Sequence, residues 1–297
     1  MERLWVAVIS LVLTLGSYAA RAAGDAKAAE LLAQAKKAIG GDQKVSSVKG
    51  LSAAGTVNRA MGDRQVAGEL TLDLELPDKM LRTESISPMG DGALVVTSQG
   101  VNGDTLLRNT KTVNAPPGLI VRMPPPPEKG SDAETQALRN SRAELARLSI
   151  ALLLSAPASV PVEFTYAGEA ESPDGKADVL DVTGPSSFAA KLFLDKATHR
   201  PLMLAYRGVA PRIIMQTQRG GPPPAAAQQP GAHGDAPGMP PAETVDINMF
   251  FDDYKPVDGV MLPHHMSRSV GGEVTEEWTF RTVRLNPAFR ADAFVAK

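Results

Sequence analysis

The sequence predicts an α+β protein that is mainly β: a strongly curved antiparallel sheet, forming a half-open barrel, covered by a few helices. Many short segments alternate apolar and polar residues, which is the period of a strand with one buried face. Dipeptides typical of hairpin turns separate these segments. Only two segments after the N-terminal region repeat apolar residues at helical spacing, so the helices are few.

The first helix is predicted in residues 25–41, whose sequence is DAKAAELLAQAKKAIGG. Its apolar residues recur at intervals of three and four, and a glycine pair stands where a helix C-cap belongs. The residues that define the buried face are Ala28, Leu31, Leu32, Ala35 and Ile39.

The second helix is predicted at about 132–154. Ser131 and Glu134 have the spacing of a capping box at its N-terminus. Leu138, Leu145, Leu148 and Leu152 share one helical face, and the segment ends in the run IALLL. Because that run is apolar on all sides, the end of this helix has to be buried.

The clearest strand is predicted in residues 68–78, where leucines alternate with polar residues. Further predicted strands are joined by two-residue turns in which glycine supplies the positive φ angles of a tight hairpin. These turns are Asn102-Gly103, Asp174-Gly175, Asp258-Gly259 and Gly271-Gly272. They favour short antiparallel connections.

The chain of 297 residues is divided by composition into a leader, one domain and an insertion. Residues 1–22 combine an early arginine, a short apolar run and the small-residue site Ala20-Arg21-Ala22, which predicts a cleaved signal peptide. Residues 23–297 are predicted to form a single domain. Within it, residues 219–243 are rich in proline and glycine and predict a disordered insertion.

The residues that could carry chemistry do not form a recognisable site. His264 and His265 are adjacent in a predicted strand, so their side chains leave on opposite faces and are poorly placed to share one metal ion. No nucleophile elbow, phosphate-binding loop or dinucleotide motif is present. The sequence therefore predicts no catalytic residue, no metal and no cofactor.

Charged residues give no other functional signal at this stage. The pairs Asp252-Asp253 and Glu276-Glu277 lie in predicted strands, where an exposed face is the ordinary interpretation. The formal net charge of −2 shows no basic surface for nucleic acid. A hydrolase would need a cleft with convergent polar groups, and the sequence supplies none.

What remains is a large apolar sheet face that needs a cover. Either the two helices fill it and form a solid core, or they leave a cavity that takes acyl chains. Periodicity does not separate these interpretations. The residues predicted to line a lipid site are Leu70, Leu72, Leu74, Leu76, Leu145, Leu148, Leu152, Val245, Ile247, Met249, Phe251, Trp278 and Phe280.

The order of these features resembles a known family. After the signal peptide and the helix ending in KAIGG come NGDTLLRN, then LFLDKATHRPLMLAYRG, then FFDDYKPVDGVMLPHHM. This pattern over residues 25–290 resembles the outer-membrane lipoprotein-sorting proteins, the LolA/LolB-like superfamily. The resemblance implies an apolar interior that binds lipid or lipoprotein acyl chains in the periplasm. It also implies a functional arginine near the cavity, for which neither Arg82 nor Arg108 is singled out by the sequence.

The sequence thus favours an exported, periplasmic protein, soluble after signal-peptide cleavage, that shields acyl chains of lipids or lipoproteins and carries them toward the outer membrane. The alternative is an envelope interaction or stress-sensing module that uses the same fold as a scaffold for envelope membrane proteins. Neither hypothesis requires an enzyme or a nucleic acid.

Overall fold

A computed structural model gives the fold of most of the chain. It describes residues 24–62, 64–88, 92–114, 127–172, 175–209 and 244–295. The predicted signal peptide, residues 1–22, and the predicted disordered insertion, residues 219–243, lie outside the described residues.

Three helices lie in the described residues. Helix α1 covers residues 24–38, α2 covers Asp42–Ser47, and α3 covers Asp132–Leu153. Both predicted helices are confirmed. The Ser131 hydroxyl accepts a hydrogen bond from the Glu134 amide at 3.1 Å, which caps α3 as its sequence indicates. No helix in these ranges is long and apolar enough to cross a membrane.

Twelve strands in the described part of the chain follow the predicted alternation. They are β1 Gly50–Met61, β2 Arg64–Glu75, β3 Lys79–Ile86, β4 Leu94–Asn102, β5 Thr105–Val113, β6 Glu163–Ser172, β7 Gly175–Thr183, β8 Ala189–Asp195, β9 Pro201–Val209, β10 Thr244–Val257, β11 Val260–Val270 and β12 Glu273–Leu285. Strand β2 ends at Glu75, so Leu76 lies in the following turn. The strand stops there because Pro77 has no amide hydrogen for the ladder.

All twelve strands form one antiparallel sheet in the order β5-β4-β3-β2-β1-β12-β11-β10-β9-β8-β7-β6. The sheet is open, with β5 and β6 at its edges, so the predicted mainly β fold class is confirmed. Asp258 and Gly259 form the predicted two-residue turn between β10 and β11, with φ angles of 50° and 82°. The stretch containing the two histidines is therefore a hairpin.

The pairing of β1 with β12 is irregular at one point. The register shifts at Gly55, and a Cβ atom placed there would lie 1.9 Å from the carbonyl oxygen of Thr279. Only glycine fits so close an approach of two backbones, and a bulge of this kind increases the bend of a strand.

Helix α3 connects the two edge strands, β5 and β6. It runs over the side of the sheet that carries Leu70, Leu72, Leu74 and Met249, and these side chains pack with its own leucines in the main hydrophobic core. We call this side the inner face and the opposite side the outer face. Helix α1 contributes its predicted apolar residues to the same core.

Candidate functional site

The residues predicted to bind lipid mostly lie together on the inner face. Buried members of the main core are Leu70, Leu72, Leu74, Leu145, Leu148, Leu152, Met249, Phe251, Trp278 and Phe280. Leu76 is partly buried against this core, Ile247 is buried outside it, and Val245 is partly exposed. The leucines of α3 fill the apolar part of the face, so α3 occupies the surface that the sequence suggested for acyl chains.

Next to this apolar region the inner face carries charged side chains that are largely shielded from solvent. Four arginines and three glutamates interact there, and we call them the ion-pair cluster. Its members are Arg59 on β1, Arg82 and Glu84 on β3, Arg268 on β11, Glu276 on β12, and Glu144 and Arg147 on α3.

Glu276 is at the centre of the ion-pair cluster. Its carboxylate lies 2.6 Å from Arg59 and 3.5 Å from Arg268, and its side chain is 7% exposed. Burial by itself raises the pKa of this carboxyl, but the positive charges of Arg82, Arg268 and Arg59 outweigh burial. The pKa of Glu276 therefore lies well below its usual value, and the group is ionised.

Glu84 bridges two of the same arginines. Its carboxylate lies 2.7 Å from Arg59 and 3.0 Å from Arg82, with 5% of the side chain exposed. Arg59 thus contacts both Glu84 and Glu276 through one terminal nitrogen. Burial lowers the pKa of Arg59, but the two carboxylates raise it by more than burial lowers it. The net shift is upward and favours the charged guanidinium form.

Helix α3 is tied to the cluster by Glu144. One of its carboxylate oxygens accepts a hydrogen bond from Arg268 at 2.5 Å. Burial raises the pKa of Glu144, but Arg268, Arg147 and Arg82 outweigh it and the pKa lies below the usual value. The guanidinium of Arg147 lies 3.8 Å from the ring centre of Tyr206 on β9, which adds a second contact between α3 and the inner face.

The ring of Trp278 and the side-chain amide of Gln99 make further contacts with the guanidinium groups of Arg82 and Arg268. The guanidinium carbons of Arg82 and Arg268 lie 5.3 and 5.5 Å from the ring centre of Trp278, within the range of a cation–π contact. The side-chain oxygen of Gln99 accepts hydrogen bonds from Arg82, 3.1 Å from its Nε. These contacts fix the two guanidinium groups in place.

A cavity of about 190 Å³ lies where the apolar region and the ion-pair cluster meet. Its walls are Leu72, Met80, Arg82, Gln99, Gly100 and Arg268 from the sheet and Asn140, Ser141, Glu144 and Leu148 from α3. Ligand pockets usually measure about 300 to 1,000 Å³, so a long acyl chain does not fit while α3 is in this position.

A wider groove of about 530 Å³, open to solvent, lies between α1 and the chain that follows α3. Most of its lining is apolar, and the largest side chains are Leu32, Leu154 and Phe164. Lys36 and Asp42 stand at its border. This groove is a second place where an apolar ligand would find room.

The sequence interpretation missed the ion-pair cluster, and for Glu276 it was wrong. The pair Glu276-Glu277 was expected on an exposed face, whereas Glu276 is 6% exposed. It shares the inner face with Trp278 and Phe280 because residues two apart in a strand point the same way. That alternation was the available signal. Arg82 lines the cavity, whereas Arg108 is exposed on the edge strand β5.

The two histidines lie in different surroundings, as the strand geometry requires. His264 is buried, with its Nδ1 3.1 Å from the carbonyl oxygen of Leu262, while His265 Nδ1 lies 3.0 Å from the Asp252 carboxylate. Among the described residues, no group of three or more histidine, aspartate or glutamate side chains is placed to hold a metal ion.

Comparison with known proteins returns structural neighbours only. No family model matches the sequence. No curated protein matches it significantly. A LolA superfamily protein from Nitrosomonas europaea is 10% identical, with a TM-score of 0.46, over 90% of this chain and 97% of the other. A putative outer membrane lipoprotein-sorting protein domain from Vibrio parahaemolyticus is 11% identical, with a TM-score of 0.43, over 90% and 97%.

A DUF1329 family protein from Desulfovibrio piger is 8% identical, with a TM-score of 0.43, over 90% of this chain and 96% of that one. Two of these neighbours bear the names of the family that the sequence resembles.

Proposed function

We propose that this protein binds the acyl chains of a lipid or lipoprotein on the inner face, where α3 now lies, and carries them through the periplasm. The observation that supports this most directly is the construction of the inner face. One helix that joins the two edge strands covers an apolar surface, and a polar cavity remains beside it. Residues 23–297 would then be a single binding domain.

The energetics suit a carrier. At about 0.8 kcal/mol per buried methylene, a long acyl chain gains on the order of 10 kcal/mol when it leaves water. The chain would replace the apolar side chains of α3, which are themselves buried against the sheet. Transfer of such a chain from a membrane to an apolar protein surface is nearly neutral in this respect, because both surroundings are apolar, so small differences in contact decide whether the cargo is held or released.

Export is the second part of the proposal. The signal peptide predicted in residues 1–22 would direct the chain to the periplasm and be removed there. The mass of the protein purified from the periplasm tests this directly. Cleavage after Ala22 leaves a chain that begins at Ala23, whereas an intact N-terminus would contradict export by this route.

Native mass spectrometry with lipid extraction tests acyl binding. The exported chain is purified without detergent, and we expect an added mass that extracts as lipid or lipoprotein. A clean unliganded mass, together with no uptake from lipid vesicles, would contradict the proposal. As a control, the protein is denatured, refolded and mixed with the same vesicles. Lipid uptake by the refolded protein would show that an unliganded mass reflects cargo lost during purification, whereas no uptake would show that the site is absent.

A second candidate function is favoured by one observation on the outer face. Leu202 on β9 and Phe250 on β10 are 39% and 38% exposed, and together with Phe193 and Met203 they line one solvent-facing hollow on neighbouring strands. An envelope interaction module would use such a surface. If the double variant Leu202→Ser/Phe250→Ser loses a protein partner in pull-down and the wild type takes up no lipid, the interaction role replaces the carrier role.

A further inference from the structure

The ion-pair cluster is unbalanced. It contains four guanidinium groups and three carboxylates, so its formal charge is +1. A net charge on seven largely shielded groups costs free energy of folding, because a charge removed from water is stabilised only by partners of opposite sign. One further negative charge would neutralise the cluster.

Each of the two arginines beside the cavity has a guanidinium nitrogen without an acceptor at hydrogen-bonding distance in the described part of the chain. Arg268 Nε is buried and has no hydrogen-bond acceptor among the described residues, so a small shift of the surrounding side chains would make it available to a ligand. The terminal nitrogen of Arg82 that is nearest Glu276 lies 3.8 Å from its carboxylate, beyond hydrogen-bonding distance. Both side chains line the cavity, with 12% and 14% of their surfaces exposed.

The cavity is polar on one side and apolar on the other. Arg82, Arg268 and Gln99 supply donors, and Asn140, Ser141 and Glu144 lie on the α3 side, where the Glu144 carboxylate is paired with Arg268. Leu72, Met80 and Leu148 line the remainder and continue into the core. Arg108 stands opposite Gln99 in the pairing of β4 with β5, is exposed, and adds a positive charge near the entrance.

From this arrangement we propose that the cavity is the subsite for an anionic headgroup, a phosphate or a carboxylate, of the bound amphiphile. This rests on the proposed function, because the acyl chain would extend from Leu72 along the inner face of the sheet. Guanidinium groups held in fixed positions match the oxygens of a phosphate or carboxylate, and they act more strongly in a shielded site than in water. The anion brings the cluster to neutrality.

Single-chain amphiphiles of one chain length test the headgroup directly. An alkyl phosphate, a fatty acid, an alkyl trimethylammonium and an alkyl glucoside are titrated into the mature protein below their micelle concentrations. We expect the two anions to bind at least about tenfold more tightly than the neutral and cationic compounds. We expect Arg82→Gln to bring the ratio of anion affinity to neutral-amphiphile affinity down toward one. Arg284→Gln, on the exposed outer face, leaves that ratio unchanged.

Asn140→Asp provides a second variant in case Arg82→Gln does not fold. Asn140 is exposed at the cavity, so an added negative charge there is tolerated and lowers the ratio of anion to neutral binding. If all four amphiphiles bind wild type equally, or if the anion preference survives in both variants, the headgroup subsite is wrong and the acyl site stands.

If no amphiphile binds, the proposed function itself fails. Inorganic phosphate is titrated alone to separate a lipid headgroup from a free anion. Tight binding of inorganic phosphate with no gain from the alkyl chain overturns the headgroup assignment. Weak phosphate binding with tight alkyl phosphate binding supports it.

Discussion

Glu276 shows how single residues hold the polar part of the inner face. Its carboxylate is shared by Arg59 and Arg268, which come from the neighbouring strands β1 and β11. A buried ion pair contributes little compared with a well-packed apolar pair, because desolvation offsets most of the attraction. Losing one partner is different, since the remaining charges then stay buried without compensation.

We therefore expect Glu276→Gln to lower the free energy of unfolding by about 3 to 5 kcal/mol. Urea denaturation at neutral pH measures this change. The matched control is Glu277→Gln, which alters the next residue on the opposite, partly exposed face and should change stability by less than about 0.5 kcal/mol. Equal effects of the two substitutions would contradict the buried position of Glu276.

The same residue gives a pH dependence with a defined sign. The pKa of Glu276 is lowered in the folded state relative to an ordinary glutamate near 4.5, so the folded state binds its proton less well than the unfolded state. Its contribution to stability is complete above that value and is lost as the pH falls toward the folded pKa. Glu144 has a lowered pKa of the same sign.

Stability should accordingly fall between about pH 5 and pH 3, and the fall should be smaller in Glu276→Gln. Denaturation midpoints measured across this range test it. Glu277→Gln again serves as the control and should retain the full decline. A Glu276→Gln curve parallel to wild type would show that the carboxyl is not stabilised in its ionised form.

The sequence could predict the apolar residues of the inner face but not the charged ones. Leu70, Leu72 and Leu74 follow a strict alternation, which is a local signal. Glu276 was predicted on an exposed face because charged side chains are seldom buried. Its partner Arg59 lies more than two hundred positions away in the sequence, so this part of the compensation for burial is not visible locally.

At the scale of elements, α3 is both a cover for the sheet and a wall of the cavity. Its second half is buried on all sides, as the apolar run at its end predicted. Its first half is capped at Ser131 and is more exposed. The helix therefore has one end in the core and one end in contact with the cavity and solvent.

The variant Leu148→Ala tests the role of α3 as a wall of the cavity separately from its role as a cover for the sheet. Leu148 is 1% exposed and lines the cavity, so we expect a loss of about 2 to 5 kcal/mol in unfolding free energy and an enlarged cavity. The enlarged space should increase the affinity for an alkyl probe, measured by calorimetry, at a temperature where the variant remains folded.

Leu153→Ala is the matched control, because Leu153 is 3% exposed on the same helix but does not line the cavity. It should lose comparable stability without a gain in probe binding. A gain of equal size in both variants would indicate that general loosening of α3, not the cavity, admits the probe.

At the scale of the whole molecule, the pairing of β1 with β12 brings the first and the last strand of the described chain together in the middle of the sheet. The hairpin turns predicted from the sequence correspond to four of the eleven neighbouring strand pairs, and those pairs are local in the chain. The pairing of β1 with β12 joins residues more than two hundred positions apart and leaves no local pattern. The position of α3 between the edge strands β5 and β6 could not be predicted for the same reason.

If an acyl chain takes the place of α3 on the inner face, α3 has to move. Arg142 on α3 donates a hydrogen bond to the carbonyl oxygen of Gly103 at 3.1 Å and pairs with Asp104 in the β4–β5 turn. The chain contains no cysteine, so Arg142→Cys and Asp104→Cys would supply its only thiols. Neither residue lines the cavity.

The most direct measurement is the rate of lipid uptake from vesicles by this double variant after coupling with a short bismaleimide that contains a reducible disulfide. We expect the coupled protein to take up no lipid, reduction to restore uptake, and each single-cysteine variant treated in the same way to behave as wild type. Uptake at an undiminished rate by the coupled protein would contradict this movement of α3 and would place the ligand elsewhere, as in the groove between α1 and the chain after α3.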